Sequence, residues 1–424
     1  MSKKTVLTGI TTTGTPHIGN YLGAIKPAIE ASENPAFNSF FFLADFHALI
    51  KCHEPERVAQ STREIAATWL ALGLDTDKAT FYRQTDIPEI TELTWILTCQ
   101  TSKGLMNRAH AYKASVDANR EAGNEDLDDG VTMGLFSYPI LMAADILMFN
   151  ADIIPVGKDQ IQHIEMARDI AGRFNHQFEN LFTLPSAQVD EETQLIPGLD
   201  GRKMSKSYNN TIPLFSSTDE LRKLINQIVT DTRMPGEPKD PDNTLMHLYR
   251  CFANEAESNA MRQRFIEGIG WGDAKTELFE YIDSKLSSPR TRYNELMNDL
   301  GAVEEVLHKG AERAREHSAP FLDKVRHAVG IRSLTDTTRT QQKVVKEKEK
   351  SGAEIARAEE GRRRAILMQI RPLLDRVEQA EDKAAAAQTL IAEKTAEVEA
   401  LKKKARQKAQ NELDLLTEEL AALL

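Results

Sequence analysis

The sequence contains no apolar run long enough to cross a bilayer. Residues 40–50 are broken by Asp45 and His47, and residues 134–149 by Pro139 and Asp145, short of the roughly 20 residues a spanning helix needs. Cysteine is scarce as well. Cys52, Cys99 and Cys251 are odd in number and far apart, which excludes a disulfide framework and a zinc knuckle and leaves reduced core thiols as the expectation. Aromatic residues make up 6% of the chain, none follows Phe321, and no glycine follows Gly361. The C-terminal stretch is therefore expected to build no globular core of its own. Met1-Ser2-Lys3-Lys4 runs into residues 5–9 without a long apolar stretch or a small-residue cleavage site, so a cytoplasmic protein with no membrane segment is expected.

What is present suffices for two or three domains: 424 residues, 41% hydrophobic and 28% charged, a composition that is neither disordered nor collagenous. The net charge of −11, from 53 basic and 64 acidic residues, argues against non-specific coating of nucleic acid while leaving room for local basic faces. From Thr335 onward the basic and acidic residues number 18 and 17, so the acidity belongs to the body.

Residues 5–10, 39–44, 80–83 and 153–156 read as buried strands, and 21–31 and 57–72 as helices with an apolar face. This alternation predicts an α/β fold, a Rossmann-type doubly wound parallel sheet, with ligands beyond the carboxyl ends of its strands, after Ile10, Ala44 and Val156. Residues 1–213 form this domain, with a polar insertion at about 100–132. Residues 214–334 are helical throughout and read as a second, all-helical domain. Residues 335–424 form a charged helical hairpin or coiled-coil extension. Its seam runs from Ile366 through Ile370, Leu373 and Val377 to Ile391 and Leu401, and predicts two long helices, 341–370 and 372–420, with Pro372 opening the second. A solvated charged helix without a partner is the plainer alternative.

Two short segments carry chemistry. In Thr8-Gly9-Ile10-Thr11-Thr12-Thr13-Gly14-Thr15-Pro16-His17-Ile18-Gly19-Asn20, a strand ends in a small-residue loop and enters a helix, presenting free N–H groups and the positive end of the helix dipole to a phosphate. Gly14 and Gly19 allow close backbone approach, and His17 and Asn20 offer directional donors. By itself this is also an ordinary strand–helix turn. The other segment, Gly201-Arg202-Lys203-Met204-Ser205-Lys206-Ser207, carries two lysines on flexible stems that can follow charge onto a departing pyrophosphate. A basic loop alone is usually a solvated face; the pairing of the two segments is far more specific.

That pairing resembles the class I aminoacyl-tRNA synthetases. His17-Ile18-Gly19-Asn20 is similar to their first signature, and Lys203–Ser207 matches their KMSKS signature in every letter. Ser137-Tyr138-Pro139 through Leu147, Val156-Gly157-Lys158-Asp159-Gln160, and His163-Ile164-Glu165 resemble the tryptophan branch of the family rather than its tyrosine sister. The likeness covers about residues 3–331. The Thr11-Thr12-Thr13 stretch departs from the glutamine and proline–serine of many bacterial relatives, and the tail lies outside the common pattern.

The resemblance implies that the chain activates L-tryptophan with ATP and transfers it to the terminal ribose of tryptophan tRNA. Catalysis falls to His17, Asn20, Lys203 and Lys206. ATP contacts fall to Thr11, Thr12, Thr13, Gly19, Asn20, Gly157, Lys158, Asp159 and Ile196, together with Lys203, Met204, Ser205, Lys206 and Ser207. Tryptophan contacts fall to Asp145, Tyr138, Gln160, Met142, His47 and Val156. Indole offers one donor and no acceptor, so an acceptor-only carboxylate among apolar walls suits it; that role goes to Asp145, whose plainer role is helix packing. His163 is expected behind the pocket. Mg²⁺ is expected on the ATP phosphates with no metal ligand from protein side chains. The resemblance also implies that 214–334 binds the anticodon, its last helix packing back on the body, and that the protein is a homodimer joined near the insertion. The alternatives are a tyrosine-specific relative, a nucleotidyltransferase without tRNA, and a non-catalytic RNA-binding paralogue.

Overall fold

The computed structural model describes residues 3–189, 196–336, 352–401 and 403–423. Five strands, β1 (Lys4–Thr11), β2 (Phe37–Ala44), β3 (Thr80–Arg83), β4 (Ile153–Pro155) and β5 (Ser186–Gln188), form one sheet in the order β3-β2-β1-β4-β5, every pair parallel. The strand order reverses at β1 and β4, where a doubly wound sheet opens its ligand crevice. β1 and β2 end in register, Thr11 opposite Ala44, so the segments that follow them begin side by side.

The run Phe40-Phe41-Phe42-Leu43 is buried throughout because helices cover both faces. Phe40 and Phe42 join a core with the Glu89–Gln100, Met133–Met148 and Ile161–Gln177 helices. Phe41 and Leu43, pointing the other way, join a core with the Pro55–Ala71 helix. The period-two pattern thus sorts the phenylalanines between two layers. Gly9 lets the Phe42 ring lie across β1, where an added Cβ would stand 2.4 Å from Cζ.

Residues 214–298 build a third core around Leu221, Ile225, Leu248, Phe265, Leu278 and Ile282. Two long helices, Trp271–Asn298 and Leu300–Ala328, close this region. The latter runs along β3 so closely that a Cβ on Gly310 would lie 1.7 Å from the Phe81 carbonyl oxygen. Arg315 and Arg326 from the same helix bind Glu89 and Glu92. Contacts divide the chain into two compact units, residues 1–340 and 341–424.

The tail differs from the two-helix expectation. Its described residues form three helices, Gly352–Glu378, Lys383–Ala400 and Lys403–Leu423, and, against expectation, they build a small core of their own around Ile370, Leu374, Val377, Leu390, Leu416 and Leu420, from aliphatic side chains without aromatics. Pro372 sits inside the first helix at an exposed position, where the carbonyl that loses its donor can turn to water. The break falls instead at Asp382, whose carboxylate accepts the Ala385 N–H at 3.0 Å and caps the next helix. The expected start of that tail, 341–351, lies outside the described residues. Cys52 is buried as expected, but Cys99 is exposed and Cys251 only half-buried: Cys99 sits near the C-terminal end of the Glu89–Gln100 helix, on the same exposed side as Trp95.

Candidate active site

The first loop is locked where it enters the helix. The His17 N–H donates to Asn20 Oδ1 at 3.1 Å, and the Asn20 N–H donates to His17 Nδ1 at 3.3 Å. This reciprocal cap gives the His17 N–H its acceptor, while the Asn20 N–H is shared between Nδ1 and the His17 carbonyl at 2.9 Å. Because Nδ1 accepts, the proton of the neutral ring sits on Nε2, which is left to donate to a ligand. His17 is buried, and burial, reinforced by the nearby Lys206 ammonium, pushes its pKa down to about 4. The unfolded chain binds that proton more readily, so the cap contributes fully above the ordinary histidine pKa and is lost as pH falls from 6.5 toward 4. His17→Asn, which can cap without titrating, is expected to lose less thermal stability than the native protein between pH 7 and pH 5. Equal losses in calorimetry would contradict this.

The lysine loop is fastened to the first. The Ile18 N–H donates to the Ile212 carbonyl at 2.9 Å and the Leu214 N–H to the Pro16 carbonyl at 3.0 Å. Met204 and Ile18 are both anchored in the core of the helical region. Buried Asn210, which sequence reasoning had not singled out, organises the loop: its Oδ1 accepts the Ser205 N–H at 2.8 Å, and its Nδ2 donates to the Lys203 carbonyl at 3.1 Å and to Asp200 Oδ1 at 2.7 Å. Ser205 in turn caps the 206–208 turn through the Ser207 N–H at 3.3 Å, and the Ile196 carbonyl accepts the Met204 N–H at 2.8 Å. Lys206 Nζ stands 2.7 Å from where a Cβ on Gly14 would be. A side chain there would push the ammonium aside.

Lys206 shares a cavity of about 310 Å³ with Gly14, Thr15, His17, Arg57 and Glu64. Its stem is exposed, yet desolvation of the ammonium and the Arg57 charge lower its pKa, against Glu64. Neither Lys203 nor Lys206 has an ion-pair partner among the described residues. Lys206 and Arg57 line this cavity against Glu64, an excess of positive charge that favours an anion. Arg57 belongs to a helix with no motif, so the sequence carried no signal for it.

The pocket around Asp145 is built from three turns at the same edge of the sheet. Tyr138, Met142 and Asp145 lie along one face of the Met133–Met148 helix. Asp145 is 1% exposed, and its carboxylate takes hydrogen bonds from Gln84 at the end of β3 and faces His47 Nε2 at 2.9 Å. Burial raises its pKa, and His47 and Gln84 pull it back. Gln84 was not visible in the sequence: its partner is 61 positions away.

Beside it runs a relay. Gln160 Nε2 donates to Asp159 Oδ2 at 2.8 Å, which turns its Oε1 toward His163 Nδ1 at 3.0 Å. His163 must then donate from Nδ1 and accept at Nε2, where the Tyr138 hydroxyl donates at 2.7 Å. The Tyr138 oxygen keeps lone pairs for an ammonium. The His47 and Tyr138 rings stand 6.4 Å apart, edge to face. Met142 and Val156 pack half-buried on the core beneath. Gly157, Lys158 and Asp159 are exposed just after β4, and the Asp159 carboxylate folds over Gly157, 2.7 Å from where a Cβ would be. Of the three threonines, Thr11 is exposed, Thr13 half-buried, and Thr12 fully buried, with no hydrogen-bond partner for its hydroxyl among the described residues. Among the described residues no group of three metal-ligating side chains comes together.

The family described as tRNA synthetases class I (W and Y) matches residues 2–287. A tryptophan–tRNA ligase of Neisseria meningitidis is 60% identical over 335 residues, 79% of this chain and the whole of that one. One from Pseudomonas putida is 58% identical over 82% of this chain and 78% of its own. The crystal structure of tryptophanyl-tRNA synthetase from Campylobacter jejuni complexed with ADP and tryptophan superposes with a TM-score of 0.71 at 41% identity, over 77% of this chain and 99% of that one.

Proposed function

The chain belongs to the tryptophanyl branch of the class I tRNA synthetases, and we propose that it acts as a tryptophan–tRNA ligase, activating L-tryptophan with ATP and transferring it to the 3′-terminal ribose of tRNA(Trp). The observation that carries this reading is the buried Asp145 carboxylate, held at the edge of the sheet from which the His17 loop also emerges. The tryptophan carboxylate attacks the α-phosphorus, forming the adenylate as the bond to pyrophosphate breaks. No protein nucleophile is needed, so the protein's work is alignment and charge stabilisation. Asp145 accepts the indole N–H, Tyr138 and Gln160 receive the ammonium, and Gly157, Lys158 and Asp159 face the adenosine. His17 Nε2, Asn20, Lys203 and Lys206 act on the phosphates. Mg²⁺ arriving on the ATP phosphates would neutralise part of their charge. Exchange of labelled pyrophosphate into ATP with each of the twenty amino acids, followed by charging of total tRNA, tests the whole: exchange should depend on tryptophan alone, and exchange driven by tyrosine would overturn the assignment.

The helical residues 214–334 are the region to meet the anticodon, and the protein works as a homodimer in the cytoplasm. Apolar Trp95 and Met133, 69% and 74% exposed, lie on either side of the insertion and support an interface there. Trp95→Glu should convert the dimer to monomers in sedimentation, and an unchanged dimer would move the interface elsewhere. The tail touches tRNA backbone or reinforces the dimer through Arg363, Arg364, Arg371 and Arg376 on its first helix; Lys402, part of its other basic cluster, lies outside the described residues. Removing 335–424 should weaken tRNA binding and flatten its salt dependence, or loosen the dimer. No change in any of these would retire the idea.

A further inference from the structure

The carboxylate of Asp145 is held from two neighbouring turns, and one residue joins them. Gln84 is fully buried at the end of β3. Its Nε2 lies 2.8 Å from Asp145 Oδ1 and 2.9 Å from Oδ2, while its Oε1 accepts the Phe46 N–H at 3.1 Å. These bonds settle which way the amide points. Phe46 stands between Asp45 and His47, and Asp45 is tied to Thr85 by that residue's N–H at 3.2 Å and hydroxyl at 2.5 Å. The turns after β2 and β3 are thus sewn together beneath the pocket, and the first of them carries His47 to Oδ2 at 2.9 Å.

We infer that Gln84 is a positioning residue for indole recognition: its amide fixes the Asp145 carboxylate against the turn after β2 and leaves Oδ1, which accepts one protein donor where Oδ2 faces two, as the oxygen that takes the indole N–H. The inference rests on Asp145 being the indole acceptor. A carboxyl that had gained a proton would keep only its uncharged carbonyl oxygen as a weaker acceptor for the indole N–H; a hydrogen bond to the charged form opposes this. The other titratable groups facing the carboxylate are His47 on the 45–48 turn and Tyr82 on β3, a fully buried phenol that burial keeps protonated. Neither can replace the amide, since His47 reaches only Oδ2 and Tyr82 makes no hydrogen bond through its hydroxyl.

Gln84→Met keeps the side chain's length and removes its donors. It should weaken tryptophan binding by about 10- to 30-fold, leave adenylate formation at saturating tryptophan within about threefold, and move the acid limb of tryptophan binding to higher pH. Gln84→Glu sets a second carboxyl against the first, tolerated only while the two share a proton. Its tryptophan affinity should therefore rise as pH falls from about 8 to about 6, opposite in slope to Gln84→Met. Equilibrium tryptophan binding and pyrophosphate exchange, normalised by active-site titration to the folded fraction, read both variants. Native affinity and pH profile in Gln84→Met, equal losses in binding and turnover, or a native slope in Gln84→Glu would overturn the assignment. If the native protein itself did not bind tryptophan, the reading of Asp145 would fall first.

Discussion

Lys206→Ala is expected to slow formation of the aminoacyl adenylate by about 10²- to 10³-fold, the usual loss when one preorganised charge is removed from a leaving group. Equilibrium binding of tryptophan should change by less than about threefold. The asymmetry follows from where the side chain sits. Its ammonium lies over Gly14, beside the neutral imidazole of His17, with no carboxylate paired to it among the described residues. It touches nothing that the Asp145 pocket uses. With no ion pair to break among the described residues and Glu64 acting only across the cavity, the ammonium gains most when charge builds on the β- and γ-phosphates, so its contribution appears in the transition state rather than in the ground state. Single-turnover adenylate formation, set beside tryptophan binding by fluorescence, separates the two. Equal losses in both would place Lys206 in ground-state binding.

The largest loss on the amino-acid side should come from Asp145→Ala. Removing the carboxylate deprives the indole N–H of its acceptor and strands the Gln84 amide and the His47 ring in a site that is 1% exposed. An unmet buried donor costs about 1–3 kcal/mol, and about 1.4 kcal/mol is a factor of ten. The tryptophan KM in pyrophosphate exchange should therefore rise by roughly two orders of magnitude, with selectivity over other aromatic amino acids lost. Asp145→Asn offers a second reading, because its NH₂ can face the indole N–H donor to donor and should do little better. Unchanged tryptophan-dependent exchange in the alanine variant would remove residue 145 from the pocket.

How much of this was legible in the residues depended on whether a contact is local. The strands buried on both faces announce themselves as apolar runs, and 39–44 and 80–83 were placed within two residues of β2 and β3. β5 did not announce itself: Ser186–Gln188 is three residues long and half exposed, held by pairing with β4 and by no hydrophobic pattern. His17 and Asn20 were readable because their cap spans three positions. Gln84 and Arg57 were not, since what they meet lies far away in the chain. In the tail the apolar spacing revealed a seam but not its folding. Pro372 looked like a helix start, whereas the actual start is set by the Asp382 carboxylate.

The contact between Gly310 and the backbone of β3 has a consequence for how this protein is cut into parts. The family model's match ends at residue 287, while the helix bearing Gly310, which the alignments with the relatives still span, supplies Val303 and Leu307 to one layer of the sheet and Ala314, Leu322 and Val325 to the other. A fragment trimmed at residue 287 would keep every residue proposed to handle nucleotide and amino acid and still lose the lid of both hydrophobic layers.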